Sequence, residues 1–185
     1  RAKGKNFAII THAGGPAVML TDTLTRNGLN VPLIENEYSA FLLKELNPGS
    51  SVANPIDFLA TGTALQLGVI LEYVSKKFDE IDGIIVIFGT PGLFKIFDVY
   101  EVLHGKMQNL SKPIYPVLPS TLVAAEEVKS FVSKGHVYFP DEVLLGEALA
   151  KVYNTKMPAN YEETPVHIDK NQVREIIQNA PNGFL

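Results

Sequence analysis

The sequence predicts an α/β fold with a mostly parallel β-sheet. Short apolar runs alternate along the 185 residues with longer segments of helical period, and that alternation is typical of βαβ units. The run Gly83 to Phe88 (GIIVIF) is apolar on both faces, as a central strand covered by helices on both sides should be. A chain of this length with 46% hydrophobic residues suits one core rather than two full domains.

The first half of the chain opens with a strand and a helix. Residues 6–11 (NFAIIT) form the predicted strand, Pro16 suits the first turn of the following helix, and Gly28 ends that helix. The next predicted elements are a short strand at residues 30–34, a helix at 38–46, an irregular crossover at 50–59 and a helix from Thr63 to about Phe78.

The second half continues the alternation after the central strand. The predicted elements are a helix at residues 93–110, a strand at 113–118, a helix at 122–134, a brief strand at 137–139 and a helix from Asp141 to about Tyr153. Together these elements predict a flavodoxin-like three-layer sandwich with a mostly parallel sheet of about five strands.

The C-terminal part differs in composition from the rest. Residues 157–165 (MPANYEETP) mix prolines with acidic and polar residues and have no period, which is typical of a linker. Asp169 then caps a short amphipathic helix with Val173, Ile176 and Ile177 on one face. We therefore expect one domain over residues 1–156, followed by a linker and short helix over residues 157–185.

Composition excludes several classes of function. Sixteen basic and twenty acidic residues give a net charge of −4, which argues against nucleic acid as a partner. The absence of cysteine rules out disulfides and thiolate metal sites and suits a cytoplasmic location. No apolar run approaches the ~20 residues that span a bilayer, so no membrane association is expected. The scattered histidines His104, His136 and His167 predict no metal site.

A glycine pair at the end of the first strand is the main candidate site. The segment Ala13-Gly14-Gly15-Pro16-Ala17 joins strand to helix at the carboxyl edge of the sheet, where ligands bind in this architecture. Unpaired amides at the start of a helix and the positive end of its dipole favour an anion such as phosphate. The alternative is a tight turn that needs glycine conformations. The segment is neither a Walker loop nor a dinucleotide fingerprint.

Four flanking residues could complete such a site. His12 could contact a phosphate or act as an acid, base or nucleophile, or it could simply bond a neighbouring loop. Asn54 and Asp57 belong to a segment whose alternative role is Asx-turn chemistry. Thr90 ends the central strand on the same edge, where it could equally cap a turn. A receiver-like phosphoacceptor role for Asp57 is disfavoured, because Asp57 follows Asn-Pro instead of ending an apolar strand.

Three segments together resemble a known family. Residues 6–24 (NFAIITHAGGPAVMLTDTL), residues 51–59 (SVANPIDFL) and the strand ending in Thr90-Pro91 resemble NDP-forming acyl-CoA synthetases, relatives of succinyl-CoA synthetase. The similarity is to the second flavodoxin-like ligase domain of their alpha part. Residues 166–185 look like the lead-in to the ATP-grasp part of fused members. The chain departs from the family pattern at His12, Ala17 and Gly92 and lacks a glycine pair in residues 112–120.

The resemblance implies a reaction in which acid, CoA and NTP give acyl-CoA, NDP and phosphate through an acyl phosphate and a phosphohistidine. In that scheme the helix at Gly14 would hold the phosphohistidine. CoA, ATP or ADP, and magnesium would be bound mainly by other domains of the same protein: CoA-binding and phosphohistidine domains upstream and an ATP-grasp domain downstream. The chain alone should then be inactive.

Two further expectations concern how the chain associates. Apolar residues around Leu93, Phe94 and Phe97 should be exposed at the active edge and could promote a homo-oligomer. The alternative function is a non-catalytic flavodoxin-like module that binds a nucleotide or serves for docking.

Overall fold

The chain divides into two compact units, Arg1–Thr155 and Lys156–Leu185. The computed structural model describes residues 2–90, 92, 95–156 and 168–180. The predicted linker at residues 157–165, His167, Pro91 and the apolar residues Leu93 and Phe94 lie outside the described residues. Phe97, the third residue of that apolar group, is 38% exposed.

A four-stranded parallel sheet forms the centre of the first unit, in the order β2-β1-β3-β4. Every residue of β1 and of the predicted central strand, which is β3, is buried. The strands are β1 (Phe7–Thr11), β2 (Ile56–Asp57), β3 (Gly83–Ile87) and β4 (Ile114–Val117).

Helices cover both faces of this sheet. The helices of the first unit are α1 (Gly14–Arg26), α2 (Glu37–Lys44), α3 (Ala64–Lys77), α4 (Phe97–Asn109), α5 (Ala125–Ser133) and α6 (Glu142–Asn154). Alternate strand residues divide the core in two: one cluster joins Ala8, Ile10, Ile84 and Val86 to α2, α3, α4 and α5. The other cluster joins the intervening strand residues to α1 and α6. The predicted three-layer α/β sandwich is therefore confirmed.

The strands at the two margins of the sheet are shorter than the sequence predicts. Residues 30–34 and 137–139 contribute only the single parallel bridges of Asn30 with Asn6 and of Phe139 with Val117. Proline supplies no amide hydrogen for a ladder, and Pro32 and Pro140 limit both segments. Conversely, the segment predicted as an irregular crossover contains β2, which pairs with Ile10 and Thr11.

In the second unit the structure describes Lys156 and residues 168–180. It contains helix α7 (Lys170–Asn179), and the side chain of Asp169 accepts hydrogen bonds from the amides of Asn171 and Gln172. The apolar residues Val173, Ile176 and Ile177 are exposed. Across the described parts of both units, no helix has the length and apolar character needed to cross a membrane.

Candidate functional site

The candidate site lies where the chain connections of the sheet reverse direction. The strand β1 continues into α1 on one face, whereas its neighbour β3 continues into α4 on the other. Ligands in open α/β sheets bind at such a point, outside the carboxyl ends of the strands. Two aromatic rings lie at this point of the sheet. His12 follows β1, Phe88 follows β3, and their rings stack with centroids 4.4 Å apart.

Helix α1 begins without a side-chain cap. Its N-cap residue is Ala13, and the first turn contains no acidic residue. The hydroxyl of Thr11 fixes the backbone that leads into α1. It donates to the carbonyl of Ala13 at 2.8 Å and accepts from the amide of Ala13 at 3.0 Å. The first amides of a helix have no intrahelical partner, so the amides of Gly14 and Gly15 are the donors that α1 offers to a ligand.

The other predicted residues of this segment contribute no donor. Pro16 has no amide hydrogen. The side chain of Ala17 is buried, at 2% exposed, and its amide is the first one that helix geometry pairs inside α1. Ala17 therefore anchors α1 to the core and does not present a group to the site.

The two glycines are not needed for a special backbone conformation. Neither has a positive φ, and both are ordinary helical residues of α1. Apart from its chain neighbours, a Cβ atom at Gly15 would meet nothing within 4 Å, and a Cβ at Gly14 would lie 3.6 Å from Oδ2 of Asp57. A positive φ therefore does not require these glycines, although a Cβ on the residue before Pro16 is disfavoured in a helical backbone. Both glycines are exposed and carry no side chain that could cover the first amides of α1.

His12 precedes Ala13 and Gly14 in the chain and is partly buried. Its Nδ1 is inaccessible to solvent and has no hydrogen-bond partner among the described residues. Burial lowers the pKa of His12, and the backbone of Ile87 and the carboxylate of Asp57 offset part of this effect. The ring is therefore mostly neutral near pH 7, so that one nitrogen can donate a hydrogen bond and the other can accept one.

Asp57 ends β2 beside the start of α1. Its Oδ1 accepts a hydrogen bond from the amide of Leu59 at 2.9 Å, as in an Asx turn. Its other carboxylate oxygen is the atom that approaches the Cβ position of Gly14. Asp57 thus stabilises the turn through its hydrogen bond to Leu59 and also places a negative charge at the margin of the candidate site.

Asn54 lies inside the fold and is 9% exposed. Its Oδ1 accepts from the amide of Ile9 at 2.9 Å, and its Nδ2 donates to the carbonyls of Phe7 at 3.0 Å and Pro32 at 2.9 Å. Because β2 is only two residues long, this amide side chain replaces the missing part of an edge strand along β1. The structure thus shows a supporting role for Asn54, and its role at the site edge stays a prediction.

Thr90 lies on the loop after β3, on the same edge as His12. Its amide donates to Oγ of Ser120 at 2.7 Å. Its own hydroxyl oxygen is buried and has no partner among the described residues. The sequence reasoning missed both Phe88 and Ser120. Phe88 reads simply as the last residue of an apolar strand, and nothing in the sequence distinguishes Ser120 from other loop serines.

A pair of histidines lies elsewhere, between α4 and the end of α5. Nδ1 of His104 is 2.6 Å from Nε2 of His136, and the ring of His136 stacks on Phe131. Burial, followed by the charges of His104 and Lys134, lowers the pKa of His136. The described residues contain no group of three or more potential metal ligands. The two ring nitrogens of this pair share a proton in a hydrogen bond.

These histidines make the stability depend on pH. The pKa values of His12 and His136 are both lower in the folded chain than their ordinary value of 6.5. The unfolded chain therefore binds more protons just below that pH, so the free energy of unfolding should fall as the pH drops below about 6.5. Urea unfolding at a series of pH values tests this. In the variant His136→Gln the decrease should be smaller, and an equally steep decrease would contradict the assignment to His136.

Comparisons with known proteins identify relatives over part of the chain. No protein-family model matches it. It is 37% identical over 59 residues to the alpha subunit of acetate–CoA ligase [ADP-forming] II from Pyrococcus furiosus, covering 32% of the chain and 13% of that protein. It is 30% identical over 106 residues to acetate–CoA ligase [ADP-forming] I from Archaeoglobus fulgidus, covering 56% of the chain and 15% of that protein. The matched segments thus span about a seventh of these relatives.

Solved structures share the fold. A protein from Pyrococcus horikoshii OT3 superposes with a TM-score of 0.74 at 21% identity, covering 82% of this chain and 36% of its own. The dinucleotide forming acetyl-coenzyme A synthetase 1 of Ca. Korarchaeum cryptofilum superposes in its apo form with a TM-score of 0.67 at 20% identity, and this match covers 82% of this chain and 35% of that one. The same enzyme in complex with phosphate and ADP gives a TM-score of 0.66 at 22% identity, with the same coverage.

Proposed function

Because the chain fits one domain of the ADP-forming acetate–CoA ligase superfamily, we propose that it is the domain of such a ligase that binds the phosphate in transit. The observation that carries the proposal is the uncapped start of α1, where the amides of two exposed glycines have no intrahelical partner and directly follow His12 and Ala13 in the chain. Such an arrangement favours an oxyanion through hydrogen bonds and the helix dipole together.

In the proposed reaction an acid, CoA and ATP give acyl-CoA, ADP and phosphate, by way of an acyl phosphate and a phosphohistidine. The amides of Gly14 and Gly15 donate to the phosphoryl oxygens, and the neutral ring of His12 adds a third donor. Asp57 lies close enough to repel a doubly charged phosphate, which favours a phosphoryl group that carries a proton or is attached to a histidine.

The remaining chemistry belongs to companion domains in this proposal. A CoA-binding domain and a phosphohistidine loop would face the start of α1, and an ATP-grasp domain would bind ATP or ADP with magnesium. The relatives are themselves a ligase subunit and a longer ligase. The present chain would then bind phosphate but form no acyl-CoA by itself.

The role of His12 distinguishes binding from covalent catalysis. His12 follows directly from a fully buried strand and is stacked on Phe88, so it can orient a phosphoryl group but cannot carry one between distant sites. In the complete ligase, His12→Asn should keep most of the activity because asparagine can still donate a hydrogen bond. His12→Ala should lower the rate about ten- to a hundredfold, equivalent to about 1.5 to 3 kcal/mol for one hydrogen bond to a charged group.

Mapping of the phosphorylated residue completes this test. After incubation of the complete ligase with labelled ATP, the label should lie on a histidine outside this chain. Label on the peptide that contains His12 would overturn the proposed role. His136→Asn, which changes the histidine that contacts His104 and Phe131, is the matched control and should leave activity unchanged.

A further inference from the structure

The first residues after β2, β1 and β3 are aromatic, and they form a row across the carboxyl edge of the sheet: Phe58, His12 and Phe88. We propose that Phe88 is a positioning residue, whose fixed ring orients the imidazole of His12 for phosphate binding. The proposal deepens the proposed function and rests on it.

The register of the sheet brings the three rings of this row together. Thr11 is paired with Asp57 on one side and with Ile87 on the other, so the residues that follow them stand at the same level. The two phenylalanines of the row belong to the core cluster on the side of α2 to α5. Because His12 stacks on Phe88, its ring points to that side of the sheet as well.

The core holds Phe88 independently of His12. Phe88 is 2% exposed, and its amide donates to the carbonyl of Val117 at 3.0 Å. Its ring stacks on Phe58 with centroids 6.2 Å apart and an angle of 28° between the planes. Phe58 is itself fully buried. Backbone pairing, core packing and a second ring therefore fix the plane of the Phe88 ring.

The backbone of His12 is fixed on both sides, whereas its side chain can turn. Thr11 is fully buried, and its hydroxyl bonds both the amide and the carbonyl of Ala13. The Nδ1 atom of His12 has no hydrogen-bond partner among the described residues that would restrain the ring. Stacking on Phe88, with centroids 4.4 Å apart and 30° between the planes, is the contact that sets the plane of the ring.

The stacked orientation determines which ring nitrogen can meet a ligand. Nδ1 of His12 is inaccessible to solvent, so Nε2 is the nitrogen that remains for a phosphoryl oxygen. A ring that was free to leave Phe88 would have to be ordered again whenever phosphate binds, and ordering a side chain costs affinity. The support from Phe88 removes that cost.

The same contact helps to keep the ring neutral. Burial lowers the pKa of His12, while the backbone of Ile87 and the charge of Asp57 offset part of this effect. Phe88 covers one face of the ring and so supplies part of that burial. A ring that moved from Phe88 into solvent should therefore titrate closer to the ordinary value of 6.5.

The orientation of His12 is tested first without phosphate, by NMR of the 185-residue chain. Scalar couplings across the Cα–Cβ bond of His12 should show a single rotamer in the wild type. In Phe88→Leu, which keeps the position apolar but removes the flat ring, the couplings should be averaged and the pKa of His12 should rise toward 6.5. Averaged couplings in the wild type, or a single rotamer in Phe88→Leu, would overturn the proposal.

Phosphate binding is then measured with inorganic phosphate at about pH 8, where the ring of His12 is neutral. The readout is the carbon-bound ring protons of His12. Affinity should fall about two- to tenfold in Phe88→Leu, the cost of ordering one freed side chain on binding. Phe88→Met, whose flexible side chain fills the space without a ring, should behave in the same way. Full affinity in these variants would overturn the positioning role.

Phe78→Leu is the matched control. Phe78 is fully buried in the same core cluster, but it lies between α3 and β3, at the opposite edge of the sheet. This variant should lower the midpoint of urea unfolding about as much as Phe88→Leu does. Its His12 couplings, the pKa of His12 and the phosphate affinity should equal those of the wild type. An equal loss of affinity in Phe78→Leu would show a general effect of destabilisation and would overturn the proposal.

The two proposals can fail separately. If phosphate shifts neither the ring signals of His12 nor the amide signal of Gly15 in the wild type, the proposed function fails. The contact by which Phe88 orients His12 is still decided by the couplings and the pKa measured without phosphate.

Discussion

Replacing Gly15 by aspartate should abolish phosphate binding while leaving the chain folded. Gly15 is an exposed helical residue whose Cβ position meets nothing within 4 Å apart from its chain neighbours, but a Cβ atom on the residue before Pro16 is disfavoured in a helical backbone. An acidic group in the first turn of α1 compensates the helix dipole by about 0.3 to 1 kcal/mol, which offsets part of that backbone cost. The same carboxylate occupies the space in front of the free amides and repels the ligand, so affinity should fall at least about a hundredfold.

Alanine substitutions provide the control for this prediction. Gly105 in α4 also has no atom within 4 Å of its Cβ position. Gly105→Ala should raise the free energy of unfolding by up to about 1 kcal/mol and should not change phosphate binding. Gly15→Ala should gain less stability, because a Cβ atom on the residue before Pro16 is disfavoured in a helical backbone. Destabilisation by Gly15→Ala would show that the glycine is needed for the backbone. Undiminished phosphate binding by Gly15→Asp would remove α1 from the site.

Asn54→Ala should cause the largest loss of stability among polar substitutions in this chain. Its amide makes three hydrogen bonds to the backbone of Phe7, Ile9 and Pro32, and each buried group left without a partner costs about 1 to 3 kcal/mol. Asn54 also has a φ of 74°, which alanine adopts less readily than asparagine. We expect a loss of about 3 to 5 kcal/mol, seen in urea unfolding as a lower midpoint.

Two variants separate these contributions. Asn54→Gly accommodates the positive φ but loses the hydrogen bonds, so it should be destabilised nearly as much as Asn54→Ala. Asn109→Ala removes an exposed amide that bonds only within α4 and should change the free energy of unfolding by less than about 1 kcal/mol. A similarly small effect of Asn54→Ala would contradict the view that this side chain replaces an edge strand.

The sequence predicts the interior of the fold well because burial leaves a clear pattern. The run Gly83 to Phe88 is apolar on both faces, and its first five residues form the central strand β3. Thr63 and Asp141 cap α3 and α6 as predicted, through hydrogen bonds to the amides of Gln66 and Leu144. In these elements local propensity and burial favour the same structure.

The margins of the sheet could not be predicted in the same way. β2 is only two residues long, too short for a period, and its pairing depends on β1 and Ser51. The side chain of Asn54 completes that margin through tertiary contacts, which no local pattern records. Its Asn-Pro-x-Asp setting allows either a place at the site edge or Asx-turn chemistry, and the hydrogen bonds of Asn54 to the backbone of β1 are not recorded in that pattern.

The strand-to-helix junction of the candidate site can be recognised in the sequence, but the residues that surround it in the fold cannot. The strand-to-helix junction at Gly14 is visible as a motif, whereas the distinction between a backbone requirement and open space depends on what surrounds each Cβ position. Burial of Ala17 and the stacking of Phe88 on His12 are likewise products of packing. Ser120 is 30 residues from Thr90 in sequence, so only the fold brings them together.

Titration of the chain with inorganic phosphate, followed by amide NMR, tests the central claim most directly. We expect the amide signals of Gly14 and Gly15 and the ring signals of His12 to shift together and to saturate at one affinity. Asp57→Asn, which removes the adjacent negative charge, should bind more tightly. Shifts confined to surface lysines, or saturating shifts elsewhere with Gly14 and Gly15 unaffected, would contradict a phosphate site at the start of α1.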